Sequence, residues 1–160
     1  MKKPSKKTVT HIAAAAITLG VGGLAALLTK KNMNTYKTVI KPPLAPPPAA
    51  FPIAWTALYI LMSIAFSRAF LACSGNRKAQ DKSITLYGVN LFMNFLWPII
   101  FFNFRAFLPA LVWLAGLFGV VCAMTADFGK KDKISAYLLI PYLLWLAFAG
   151  YLNAGIVYLN

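Results

Sequence analysis

Residues 89–102 read VNLFMNFLWPIIFF: fourteen positions without a charge, carrying two carboxamides and a tryptophan. Spacings of four, three and four turn Asn90, Asn94, Trp97 and Phe101 onto one face of a helix. The apolar run around them extends over 83–104, roughly the 20 residues that a helix needs to cross hydrocarbon. A carboxamide placed there needs partners, so this face points into a bundle or a cavity. Asn90 is expected to join helices, through bonds that contribute about 0.6–2 kcal/mol each. Asn94, which can serve a neighbouring helix or a ligand, is expected to meet a ligand.

Outward from this stretch the pattern repeats. Further apolar runs at 9–29, 51–73, 107–126 and 134–159 predict an all-α integral membrane bundle of five transmembrane helices, one domain over 1–160. A hydrophobic share of 60% is far above what a soluble core of this size needs. The first run follows the basic start MKKPSKK, but it is too long for a signal peptide and ends in LLTKK without a small-x-small cleavage site. Links at 74–82, 105–106 and 127–133 are short enough to make neighbouring helices antiparallel.

The net charge of +13 does not point to nucleic acid, because the basic residues sit in clusters between apolar runs. Lys2, Lys3, Lys6, Lys7, Arg77, Lys78, Lys82, Lys130, Lys131 and Lys133 fall on one side; Lys30, Lys31, Lys37, Lys41 and Arg105 fall on the other. Arg68 is expected to snorkel to the first side. The positive-inside rule then predicts a cytoplasmic N-terminus, and a bacterial-type cell membrane is the expected location.

One link is not short. Residues 30–50 lead into KPPLAPPPAAFPIAW, with six prolines in the fifteen positions 41–55. Prolines fix their own φ and extend the residues before them, so the segment has little conformational entropy to lose. It reads either as a lid built on Pro42, Pro43, Pro46 and Pro47 or as a stiff spacer.

The last run, PYLLWLAFAGYLNAGIVYLN, spaces Pro141, Trp145, Ala149 and Asn153 by four, beside small residues that suit either helix packing or a flat ligand. The second run puts Trp55, Tyr59, Met62 and Phe66 on one face. Taken together, three helices that each present an inward tryptophan, two of them adding carboxamides, predict an aromatic cavity for a large, flat, apolar ligand with a polar edge. Trp113, without polar company, is expected to face lipid or pack.

Several chemistries lack their residues. There is no Glu, and Asp81, Asp127 and Asp132 are expected in loops, which excludes intramembrane carboxylate relays. His11 stands alone, and Cys73 and Cys122 are far apart, so neither a triad nor a metal site is indicated, and no cofactor is expected.

Three blocks, KPPLAPPPAAFPIAWTALYILM, NFLWPIIFFNFRAFLPALV and PYLLWLAFAGYLNAGIVYLN, resemble the translocator proteins, also called tryptophan-rich sensory proteins or peripheral benzodiazepine receptors. The resemblance implies a homodimer of five-helix bundles with a cavity beneath the first loop. That cavity would take porphyrins such as protoporphyrin IX, isoquinoline carboxamides or benzodiazepines. By motif, Trp55 and Trp145 match the two cavity tryptophans, Asn94 and Trp97 match pocket residues, Ala149 a small wall residue, Tyr59 and Asn153 interior positions, and the proline block the lid. Trp113 stands where the family often has an acid, and no basic residue follows Lys133, so the animal sterol pattern is missing. The implied function is a porphyrin-binding membrane receptor or sensor, with carriage as a variant; Lys37 or Lys41 would meet porphyrin carboxylates. The alternatives are light-dependent porphyrin degradation, with Trp55 and Trp145 catalytic, and a structural membrane protein without a small ligand.

Overall fold

Three of the long helices begin at a side chain that takes up a free N–H group. In the computed structural model, which describes residues 5–160, Ser5 opens α1 (Lys6–Thr29) by accepting from the Thr8 amide at 3.2 Å. Lys2 and Lys3 of the charge count lie outside the described residues. Asn76 caps α4 (Arg77–Pro98) and Asp132 caps α6 (Lys133–Leu159) in the same way. For α3 (Ala50–Ala72) the donors turn back onto the proline segment instead, Ala50 N–H to the Pro47 carbonyl at 2.9 Å. Pro52 sits in the first turn of α3, where its missing N–H costs nothing. The remaining long helix is α5 (Phe107–Lys131).

Five helices of 23–27 residues are long and apolar enough to span a bilayer, counting the turns that continue α1 and α4. The protein is an integral, multi-pass membrane protein. Two links are shorter than the sequence predicted, because Arg77–Lys82 already winds as helix and only Asp132 separates α5 from α6. The α3–α4 turn relies on Gly75, whose φ of +97° is a left-handed conformation that side chains resist.

Pro98 ends α4. It has no N–H for the Asn94 carbonyl, and the chain widens at once into a π turn over Ile99–Asn103, in which Phe104 N–H reaches back five residues to the Ile99 carbonyl at 3.2 Å. Arg105, at φ +52°, then reverses the chain into α5. Pro141 does not interrupt α6. The predicted loop 30–50 is in part helical: a 3₁₀ turn, Lys30–Asn32, leads to the short α2 (Asn34–Thr38) before the proline segment.

Around the bundle α1 packs on α3, α3 on α6, α6 on α5, α5 on α4, and α4 back on α1, closing a ring. Its outer surface carries Leu27, Ile53 and Val112 at 66–73% exposure, which only acyl chains can solvate cheaply. Polar side chains face inward instead: Thr18, Ser63, Ser67, Asn90, Asn94 and Asn153 are all buried.

The end of the bundle opposite the prolines is held by ions. Asp127 is not in a loop, as predicted, but buried in the last turns of α5, where Lys82 and Lys131 pair with it at 3.0 and 2.5 Å. A carboxylate can be buried there because two ammonium groups compensate its lost hydration. Arg68 reaches the same end and donates two hydrogen bonds to Asp132, at 2.8 and 3.1 Å. This fork holds the Asp132 carboxyl at about 2, below the usual carboxylate range.

Candidate functional site

Small residues on α1 begin the site. Gly22 leaves room for the Tyr59 ring of α3, since a Cβ there would lie 2.1 Å from Tyr59 Cε2. Gly22, Gly23, Ala25 and Ala26 therefore form a low wall, and facing it α3 presents Phe51, Trp55 and Tyr59 while α4 presents Asn94 and Trp97. Phe102, from the π turn, completes the aromatic lining. The cavity, open on one side, measures 530 Å³, within the range of small-molecule sites.

Asn94 brings the cavity its polar group. Its amide nitrogen donates to Asn90 Oδ1 at 3.0 Å and to the Tyr142 hydroxyl of α6, which also accepts from Asn90 at 3.2 Å. This buried trio fixes the Asn94 rotamer by spending its donors inside the protein, so what Asn94 has left is an acceptor oxygen. Asn90 joins helices, as the sequence predicted.

Trp97 is 7% exposed and its indole N–H has no hydrogen-bond partner. An orphaned buried donor is uncommon, and here it belongs to a residue that lines the cavity. Trp145 carries a second orphan, but stands one layer back: its ring meets Trp55 edge-on at 6.3 Å and Phe51 at 6.0 Å. Of the predicted site residues, then, Trp55, Tyr59, Asn94 and Trp97 line the main cavity and Trp145 supports it.

Phe101, Ala149 and Asn153 lie elsewhere. They surround a separate pocket of only 20 Å³, roofed by Tyr36 of α2. Asn153 is occupied with α5: with the carboxamide oriented to satisfy both atoms, it donates to the Phe107 carbonyl at 3.0 Å and accepts from the Leu111 amide at 3.1 Å. That bridge patches the first turn of α5 beside Pro109. Phe51 and Trp97 line both hollows and form the partition between them.

The proline segment does not lie over the main cavity either; it is fastened to the C-terminal end of α6. Pro42 is buried against Gly155, where an added Cβ would come within 2.5 Å of its ring. Tyr151 donates to the Pro43 carbonyl at 2.9 Å, Tyr36 to the Pro46 carbonyl at 2.9 Å, and Asn160 exchanges two bonds with the backbone of Ile40. None of Pro42, Pro43, Pro46 and Pro47 lines the main cavity, which the chain closes instead with Lys30 and Met33 before the segment and Phe51 and Pro52 after it. Lys41 is pinned to the Tyr36 and Val39 carbonyls, at 3.0 and 3.2 Å, which takes it away from any ligand. Trp113 is half-buried, with its indole donating to the Met93 carbonyl at 2.9 Å.

Comparison with known proteins agrees with this architecture. The profile of the TspO/MBR family matches residues 13–159, all five spans. The chain belongs to that family. Its relatives include the tryptophan-rich protein TspO of Chlorobaculum tepidum, 31% identical over 98% of this chain and 99% of the relative. The tryptophan-rich sensory protein of Cereibacter sphaeroides is 33% identical over 78% of this chain and 76% of its own. The translocator protein of Bos taurus is 34% identical over 82% and 79%. Sequence reasoning about this TspO/MBR chain missed the α1 wall, Phe51 and Phe102. The signal was present in TLGVGGLAALL, residues 18–28, where glycines and alanines cluster inside the first apolar run.

Proposed function

We propose that this protein is an intramembrane receptor for flat, largely apolar ligands of the porphyrin class, with protoporphyrin IX and isoquinoline carboxamides as representatives. One observation carries the reading: a 530 Å³ cavity walled by five aromatic side chains, with a single oriented carboxamide oxygen. Aromatic walls recognise a planar π system by stacking and edge contacts, and the Asn94 oxygen supplies one acceptor. The partition of Phe51 and Trp97 lets a bulky guest extend toward Ala149 and Phe101 by rotating two side chains rather than moving a helix. The homodimer, the cytoplasmic N-terminus and the cell-membrane location belong to the same proposal, the N-terminal orientation supported by the charge asymmetry of the loops.

Titration of the purified protein with protoporphyrin IX, followed by tryptophan fluorescence, tests it. Saturable quenching at micromolar ligand is expected, weakened about tenfold in Trp97→Leu by the loss of a stacking partner. Quenching no stronger than that of an unrelated membrane protein refutes it.

The contact between Trp55 and Trp145 supports a second reading, light-dependent porphyrin degradation. Trp55, at the cavity wall, would pass one electron to an excited porphyrin and be refilled by Trp145 behind it, leaving a Trp145 radical and a porphyrin radical anion, with dioxygen as the oxidant that takes up the electron and opens the ring. Illumination distinguishes the two. Bleaching of the porphyrin bands that disappears in Trp145→Phe, while binding persists, favours chemistry.

A further inference from the structure

The three Asp residues, which with no Glu make up the acidic side chains of the sequence, all stand at one end of the bundle: Asp81 early in α4, Asp127 late in α5 and Asp132 between α5 and α6. The other end holds Lys30, Lys31, Lys37, Lys41 and Arg105 with no side-chain carboxylate near them. A surface of one sign beside a low-dielectric cavity concentrates ligands of the opposite sign at its mouth.

These five cations are not equivalent. Lys41 spends its donors on two carbonyls and lies over the Tyr36 ring, 5.2 Å from its centre. Arg105 leans on the Thr38 hydroxyl. Lys30 alone among them lines the main cavity, and it makes no ion pair or side-chain hydrogen bond among the described residues. Its position follows from the chain: α1 runs through the small-residue wall and stops at Thr29, so the next side chain emerges at the rim. The lining thus has an apolar aromatic body and one exposed ammonium at its mouth.

We infer that Lys30 is the anion-binding residue of this cavity and that the ligand it selects is an amphiphile with a planar aromatic body and a carboxylate at its edge. The inference rests on the porphyrin-class reading and deepens it. The guest stacks on Trp55 and Trp97 and leaves its acid at the membrane boundary, where Lys30 meets it as a charge-assisted hydrogen bond. A neutral guest gains nothing from Lys30. Lys30 therefore sets specificity rather than overall affinity, and it takes the place that the sequence suggested for Lys37 or Lys41.

The test compares protoporphyrin IX, which has two carboxylates, with its dimethyl ester, on protein in nanodiscs of neutral lipid. Lys30→Gln should weaken the acid about fivefold, the scale of a partly solvated ion pair, and leave the ester unchanged. Lys30→Arg should restore the acid, and Lys37→Gln should change neither ligand. Added salt should narrow the gap between acid and ester in the wild type and not in Lys30→Gln. An unchanged acid affinity in Lys30→Gln overturns the assignment, and so does an equal loss for acid and ester, which would mean that the side chain only shapes the rim. Failure of both ligands to bind the wild type overturns the porphyrin-class reading and this assignment with it, an outcome separate from tight binding that ignores Lys30.

Discussion

Gly22→Ala adds one methyl group in the middle of α1. The new Cβ would stand 2.1, 2.7 and 3.0 Å from Cε2, Cδ2 and Cζ of Tyr59. The ring must retreat by more than about 1 Å before the contact is an ordinary one, and overpacking of this kind costs about 1–3 kcal/mol. Against this stands the better helix propensity of alanine, about 1 kcal/mol. Trp55 lies 5.5 Å away along the same helix and blocks one escape, so the phenol turns into the cavity. The expected outcome is a net loss of about 1 kcal/mol in stability together with a clear loss of protoporphyrin affinity. Gly20→Ala is the control, since nothing lies within 4 Å of a Cβ there, and it should hold or raise the melting temperature. Thermal melts in detergent and fluorescence titrations of Gly22→Ala, Tyr59→Leu and the double variant decide the matter. With the ring removed the alanine should be harmless, a coupling of more than about 0.5 kcal/mol. Additive effects, or a Gly22→Ala protein as stable as Gly20→Ala, would refute the packing argument.

Tyr142→Phe removes the hydroxyl that receives both Asn90 and Asn94, so the bundle should lose about 1–2 kcal/mol in a melt and Asn94 should lose its fixed orientation, weakening ligand with it. Gly155→Val puts side-chain atoms where the Pro42 ring sits; the proline segment should lift from α6, and limited proteolysis should cut between residues 40 and 50 far sooner than in the wild type. The Arg68 fork lowers the Asp132 pKa from its ordinary 3.8 to about 2. Its stabilisation is therefore present above pH 4 and is lost as the pH falls through about 2, a drop in melting temperature that Asp132→Asn should largely abolish.

Five spans, their antiparallel links and the family were legible in the chain, because crossing hydrocarbon demands about 20 consecutive apolar residues and leaves charge only at the ends. The inward face of Asn90, Asn94 and Trp97 was legible too, since helical spacing fixes which residues share a side. What spacing cannot give is which neighbour a face meets. Asn94 and Asn153 look alike in the sequence, yet one edges the cavity and the other is consumed by the backbone of α5. Asp127 and Asp132 both sit beside lysines, yet only Asp127 is buried.

The sequence by itself determined a membrane-embedded five-helix protein with indoles and amides turned inward, because those properties follow from local composition and periodicity. Only the tertiary structure decided that the cavity lies among α1, α3 and α4, that the proline segment is fastened to α6, and that Lys30 stands at the mouth. The physical reason is that a cavity is space left where helices fail to fill the volume between them. Here that failure arises from glycines and alanines on a helix that carries no aromatic or carboxamide of its own among the lining residues.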